Sequence, residues 1–449
     1  MEFDKWILTV KHLPLAKASK ISDGNHMAIS NKFIENGIPY YRGQNIHSFF
    51  IEDTDPICID EKTYSLTTMK RSHLKKDDIL LSIVGTIGGV SLVTTDNKAT
   101  CNCKLAILRS NEKIISKYLA IYLSCRYGQH QIERYTRGAV QKGLILEDMD
   151  QLSVPIMSFD FQNNIAKLVI EAKIKKEYSK EKYSKAENLL ISELGLENFN
   201  PSNEKVSIKT LKESFLKTGR LDSEYYQPKY DDYLKKVLSY KNGYELLGKC
   251  CNIKDKNFMP KDDEGYRYIE LANVRSNAQI IDCNILLGKE LPTRARRKVN
   301  TGDVIVSSIE GSLESCALIT EEYNNSLCST GFYVVNSEKL NSESLLTFFK
   351  SSLMLNLMKK GCSGTILTNI AKEEFAKLPI PLLKQDVQDE IASYIKQSME
   401  YSKKAKDLLN ISTEAVEIAI NKDEETAQNF LDRQTDRQTD RQTDRQTDR

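Results

Sequence analysis

Short alternating or β-branched runs mark the chain at two places, DILLSIV from Asp78 to Val84 and DVIVSSI from Asp303 to Ile309. Glycines and polar turns interrupt them, and such runs predict strands. After each comes a segment with apolar residues three and four apart, SKYLAIYLSCRYGQHQIERY in one case and SESLLTFFKSSLMLNLMKK in the other. That spacing predicts an amphipathic helix. A glycine-containing loop follows, then a short run ending in Pro155 or Pro381, then a long charged helix. The same parts occur twice in the same order.

The register of the repeat is steady. GIPYYRGQNI at Gly37 has its counterpart in GYRYIELANV at Gly265, a shift of 265 − 37 = 228. Asp78 answers to Asp303 at 225, and Gln162 to Gln388 at 226. The chain is therefore read as two copies of one module.

In the first long helix, Ile165, Leu168, Ala172, Ala186 and Leu189 fall on one seam, with Lys175, Ser179 and Lys182 occupying its middle. In the second, Ile391, Tyr394, Ser398, Tyr401, Ala405, Leu408, Ser412, Ala415 and Ala419 keep steps of three and four throughout. This is a coiled-coil stripe. At 1.5 Å per residue a helix of ~35 residues is ~50 Å long, so the two are expected to pair as a rigid spacer. Gly195 is expected to end the first helix, and ENFNPSNEKV after it reads as a linker.

Composition adds bounds. With 449 residues, 40% hydrophobic and 28% charged, the chain has room for two or three globular domains. MEFDKW carries two acids and no apolar core behind it, so it is not a secretory signal, and no stretch has the ~20 apolar residues of a membrane helix. Ten cysteines without a C-x-x-C pair suit reduced thiols and a cytoplasmic location better than structural zinc. A net charge of +2 decides nothing about nucleic acid, because a binding face can be basic while acids cover the rest.

Catalytic signatures are missing. The chain has no adjacent prolines, hence no Asn/Asp-Pro-Pro-aromatic motif of amino-group methyltransferases, and no G-K-[ST] phosphate loop. VGTIGG at Val84 reads as strand and turn, and IDEK at Ile59 has no equivalent in the second copy. The five histidines (12, 26, 47, 73 and 130) lack metal-ligand spacing, so no metal site is assigned. Two related modules, a spacer and no chemistry describe a recognition protein.

At this point the chain resembles the specificity subunits of type I restriction–modification enzymes, from about Leu13 to Ile420. The resemblance is carried by ISDGNH with GIPYYRGQNI, by the DDILLS…G strand pair, and by RGAVQKGLILEDMDQLSVPI leading into FQNNIAKLV, all in doubled order. It implies an α+β fold: two tandem mixed α/β target recognition domains joined by two long helices in an antiparallel coiled coil. The boundaries are placed at 1–158 and 199–383 for the domains, 159–198 and 384–422 for the spacer helices, and 423–449 for a disordered tail. The resemblance further implies that each domain reads half of a bipartite site on double-stranded DNA. Methyltransferase (modification) subunits would carry S-adenosylmethionine, and a restriction/translocase subunit would carry ATP and Mg, leaving this chain no cofactor of its own.

Candidate readers in the first domain are Asn25, His26, Arg42, Gln44, Asn45, Arg137, Gln141 and Lys142. Arginine suits guanine, Asn and Gln suit adenine, and lysine suits phosphate, although Asn25 and Asn45 equally suit turns. The second-domain set is Lys256, Asn257, Arg267, Asn273, Ser363, Thr365 and Asn369, where ISDGNH has become IKDKNF and Arg42-Gly43-Gln44 has become Glu270-Leu271-Ala272. Competing readings are a stand-alone DNA-binding regulator, which near-neutral charge disfavours, and a coiled-coil scaffold, which leaves the Gly/Asn/Arg loops unexplained.

Asp432 to Arg449 spells DRQTDRQTDRQTDRQTDR, five Asp and five Arg without one apolar side chain. Such a segment buries nothing and is expected to be disordered. GAC AGA CAG ACA, the tetranucleotide GACA written three times, encodes Asp-Arg-Gln-Thr, so a slipping tract is the expected source of the repeat.

Overall fold

A computed structural model describes residues 5–46, 48–51, 57–138, 142–204, 206–275, 278–281, 283–364 and 368–434. The chain divides into two compact units, Met1–Glu177 with Tyr401–Arg449, and Tyr178–Glu400.

In the first unit Ser19–Asp23, Leu105–Ser110, Ile79–Ser82 and Val90–Leu92 lie side by side in that order as an antiparallel sheet. A second sheet holds Phe33–Ile34, Ile57–Ile59, Ile38–Tyr41 and Thr100–Cys101, with the last two strands parallel. The strand Ile79–Ser82 explains the uninterrupted apolar run. Side chains alternate between faces, and here both faces are covered. Ile79 and Leu81 enter the core built with the helix Ser116–Ser124, while Leu80 enters a second core with Tyr41, Ile46 and Ile107. Each such fully buried side chain contributes about 1.5–3 kcal/mol.

The second unit repeats this arrangement. Asn252–Lys254, Phe332–Asn336, Val304–Ser307 and Cys316–Leu318 form one sheet, and Ile285–Leu287, Gly265–Ile269, Leu327–Ser329 and Ala295–Lys298 the other. Val304 and Val306 face the helical core and Ile305 the opposite one. The runs ending in proline are two-stranded edges, Ser153–Pro155 against His12–Pro14 and Pro379–Pro381 against Tyr244–Leu246. Proline is tolerated there because an edge strand can spare its N–H.

The long helices span Phe159–Glu193 and Gln385–Asn421. They run antiparallel, since in the second unit Ser179 Oγ lies 3.1 Å from Ser398 Oγ while Lys182 covers the ring of Tyr394. Ile165, Ala172, Ser179 and Ala186 are buried along the first, and Ile391, Ser398, Ala405, Leu408, Ser412, Ala415 and Ala419 along the second. The seam read from the sequence is buried at these positions, whereas Leu168, Leu189, Tyr394 and Tyr401 on the same seam are half-buried. Gly195 ends the first helix with φ +63°.

Two features differ from the sequence reading. The spacer helices are not separate from the domains, because each unit takes half of each helix. Nor does order stop at 422: residues 424–434 are helical, and Ala427 and Leu431 are buried in the first unit's core. Asp423 caps this helix by accepting from Thr426 N at 2.7 Å, and Glu424 accepts from Ser158 N at 2.9 Å. The DRQT residues beyond 434 lie outside the described residues. Among the described residues no helix is long and apolar enough to cross a membrane, and all ten cysteines are free thiols.

Candidate nucleic-acid interface

In the first unit, three loops separated by up to a hundred residues in sequence are joined by backbone contacts at one edge of the sheets. The strand Ile38–Tyr41 runs into Arg42 and a tight turn, Gly43–Asn45. Asn45 closes that turn, its Oδ1 accepting from Arg42 N at 2.9 Å. Behind the turn lies the glycine loop Val84–Gly89, so close that a Cβ on Gly89 would stand 2.7 Å from Ile46 O. Gly85 and Gly88 have φ near +90°, a conformation that disfavours other residues. The third loop is a small hairpin in which Arg137 and Gly143 exchange both backbone bonds at 2.8 Å. It is tied to the glycine loop by Leu144 N donating to Ile83 O at 2.9 Å.

ISDGNH sits against the same strands. Asn25 N donates to Cys101 O at 2.8 Å, and a Cβ on Gly24 would lie 2.1 Å from Asn102 O, so only glycine fits there. Asn102 N in turn donates to Tyr41 O at 3.0 Å. Burial pushes the Tyr40 phenol above its ordinary pKa range even though Asn25 hydrogen-bonds to it, so at neutral pH it is a plain hydroxyl.

The second unit has the same backbone with different side chains. Asn273 Oδ1 accepts from Glu270 N at 2.8 Å, repeating the Asn45 turn. The loop Ser308–Ser315 replaces the glycine loop, and Ile370 N donates to Ser308 O at 2.9 Å where Leu144 met Ile83. Ser363 pairs with Asn369 in the equivalent hairpin, both exposed. Where the first unit has Arg42 and Gly85, the second has Glu270 and Glu310.

The predicted residues separate by what their side chains already do. Gln44 and Lys142 are exposed, and so are His26 and Arg137, each resting on an acid: His26 Nε2 is 2.5 Å from Asp23 Oδ2, and Arg137 Nη2 is 2.5 Å from Asp148 Oδ1. Arg42 is half-buried, with its Nε enclosed and without a hydrogen-bond partner among the described residues. In the second unit Lys256, Ser363 and Asn369 are exposed, and Asn257 Oδ1 accepts from Arg297 at 2.9 Å.

Four of the predicted readers already make bonds within their own unit, and burial takes two of them, Asn25 and Asn45, out of reach of a base. Asn25 is 3% exposed, and its amide both donates to Met27 O and accepts from Met27 N, leaving nothing to offer a base. Asn45, 8% exposed, and Asn273 spend their carbonyls on turns. Arg267 lies over the ring of Tyr323 and donates to Glu322 O at 2.6 Å, which anchors it within its own unit. Gln141 and Thr365 lie outside the described residues.

Sequence reasoning missed a basic strand, Ala295–Lys298, which carries Arg296, Arg297 and Lys298 at the edge of its sheet. It also missed Lys372, whose ammonium pairs with Asp255 and holds that carboxyl below its ordinary pKa. The run TRARRK was the available signal. Missed too were the buried acids Asp78 and Asp303. Arg109 donates to Asp78 at 2.8 Å and Lys254 to Asp303 at 2.7 Å, the same acid served by a cation from a different strand.

A family model described as type I restriction modification DNA specificity domain matches residues 19–188 and again 244–410. The two matches cover most of the chain and coincide with its two copies. The chain belongs to this family. Two copies of such a domain account for the duplicated order of parts. Over 101 residues the chain is 33% identical to the type I restriction enzyme EcoBI specificity subunit of Escherichia coli, which is 22% of this chain and about a fifth (21%) of that relative's length. Two solved structures are also similar. For the S subunit of a type I restriction-modification system from M. genitalium, the TM-score is 0.42 at 12% identity, covering 94% of this chain and 96% of that one. For the HsdS subunit from Thermoanaerobacter tengcongensis, it is 0.31 at 12% identity, covering 92% and 97%.

Proposed function

We propose that each unit is a target recognition domain reading one half of a bipartite, asymmetric sequence in double-stranded DNA. One observation carries this reading: the loop edges of the two units share a backbone but differ in side chain, Arg42 against Glu270 and Gly85 against Glu310. A protein whose two modules must read different bases needs the frame kept and the readers changed. The chain directs methyltransferase (modification) subunits and a restriction/translocase subunit to the site and performs no chemistry itself. S-adenosylmethionine belongs to the first partner, and ATP with Mg to the second. The working compartment is the cytoplasm, where DNA and both partners meet.

The test is a domain exchange. Residues 1 to 155 are replaced by the equivalent region of a family member with a different site, and methylated sequences are mapped across the host genome. The expected outcome is a change in one half-site with the other retained. A change in both halves, or in neither, overturns the reading.

A further inference from the structure

Where two modules read different half-sites, what they share answers to what the half-sites share, and that is the phosphate backbone. The cationic residues they share include an arginine. In the first unit Arg71 pairs with Asp23, the last residue of the strand Ser19–Asp23. In the second unit the residue 297 − 71 = 226 positions later is also arginine. Arg297 donates to the backbone oxygen of Asp255, the residue just after the strand Asn252–Lys254, and to Asn257 at 2.9 Å. The pairing register corresponds as well: His73 bridges Thr100 in the first unit, and at the same shift of 226 Val299 N donates to Ser326 O at 3.0 Å in the second.

An exposed ion pair adds little to stability, about 0–1 kcal/mol, so stability alone gives no reason for the arginine to recur after an internal duplication. Recognition does. Arg71 keeps 53% of its side chain exposed while the Asp23 beneath it keeps 11%. A guanidinium has five donors in a rigid fork, and an acid that takes the inner ones leaves the outer ones aimed and already ordered. The acid is held in turn by the loop frame, because Gly24 and Asn25 are locked onto Cys101 and Asn102. Around Arg297 the cationic character is reinforced by Arg296, Lys298 and Lys372.

We propose that Arg71 and Arg297 are phosphate anchors, one per half-site, which fix the register of each domain on the duplex and carry no sequence information. This rests on the DNA-recognition reading above.

The experiment uses the full chain with its methyltransferase subunits and measures binding to cognate and random-sequence duplexes across a salt series, alongside methylation mapping. Arg71→Ala and Arg297→Ala are each expected to weaken binding to both duplexes by a similar factor. Each should also lower the log–log salt slope by about one, the value for one lost phosphate contact, and leave the methylated sequence unchanged. Arg71→Lys restores most of the slope, and Lys185→Ala, which removes a charge from a long helix, changes neither quantity. An unaltered slope in the alanine variants makes these arginines surface ion pairs only, and a relaxed base at one position makes them sequence readers; either result overturns the proposal. Failure of the unmodified assembly to bind duplex overturns instead the reading on which it rests.

Discussion

Each long helix begins with a buried glutamine that staples it to the loop before the preceding amphipathic helix. Gln162 accepts from Ile115 N at 2.9 Å and donates to Met157 O at 2.9 Å, and Gln388 accepts from Asn341 N at 2.8 Å and donates to Leu383 O at 2.9 Å. Replacing Gln162 with alanine strands a buried amide N–H, which is expected to cost about 1–3 kcal/mol. Chemical denaturation checks this against Gln385→Ala, an exposed position expected to be near neutral. At this scale the sequence is partly legible. The glutamine recurs at a shift of 226 because its job recurs. An asparagine in a glycine-rich loop, by contrast, suits a base edge and a turn equally, and Asn25, Asn45 and Asn273 proved to be turn formers. The neighbours Gln44 and Asn45 therefore separate by measurement. Asn45→Ala should lower stability by about 1 kcal/mol through loss of its turn bond. Gln44→Ala should leave the melting temperature unchanged while reducing discrimination at one base of the first half-site by about 1–3 kcal/mol, read from methylation rates on single-base variants of the site.

Among the elements, the strands and long helices were legible because their burial follows a simple period. The seam through Ile165, Ala172 and Ala186, and its partner from Ile391 to Ala419, is buried as spaced. The loop edge was not legible. Nothing in the run from Ile83 to Gly89 says that Ile83 and Val84 will be gripped by Leu144 and Gly143 some sixty residues on, since those contacts are made by backbone atoms. The arginine pair was hidden for a related reason: KRSH at 70–73 and RRKV at 296–299, the same register, share little beyond charge. The helix pair carries its own prediction. Four residues inserted after Ser179 add about 6 Å and turn the helix by about 400°, close to one full turn, so the seam stays nearly in phase. If the pair sets the gap between half-sites, the methylated sequence should keep both halves and gain one or two base pairs between them. An unchanged gap with full methylation excludes a measuring role for these helices.

For the molecule as a whole, the end of the chain separates into a part that packs and a part with nothing to pack. Leu431 and Ala427 are buried against the first unit, and Gln428 Oε1 accepts from Asn164 at 3.0 Å, whereas the repeat from Asp432 onward has no apolar side chain. Deleting Asp432–Arg449 should therefore leave melting temperature and methylated sequence unchanged, while deleting 423–449 should cost on the order of 3 kcal/mol by uncovering that core. The exactness of the repeat then needs a cause outside folding. Because four and three share no factor, every frame through a pure GACA tract reads as the same four residues in rotation. A gain or loss of one unit preserves the repeat but shifts the frame of whatever follows it. The tract would thus alter the chain beyond the helix without disturbing the recognition units. Sequencing the gene from sister colonies checks this: an uninterrupted GACA tract of varying copy number is expected, and synonymous variation among the Asp or Thr codons would remove the slippage mechanism.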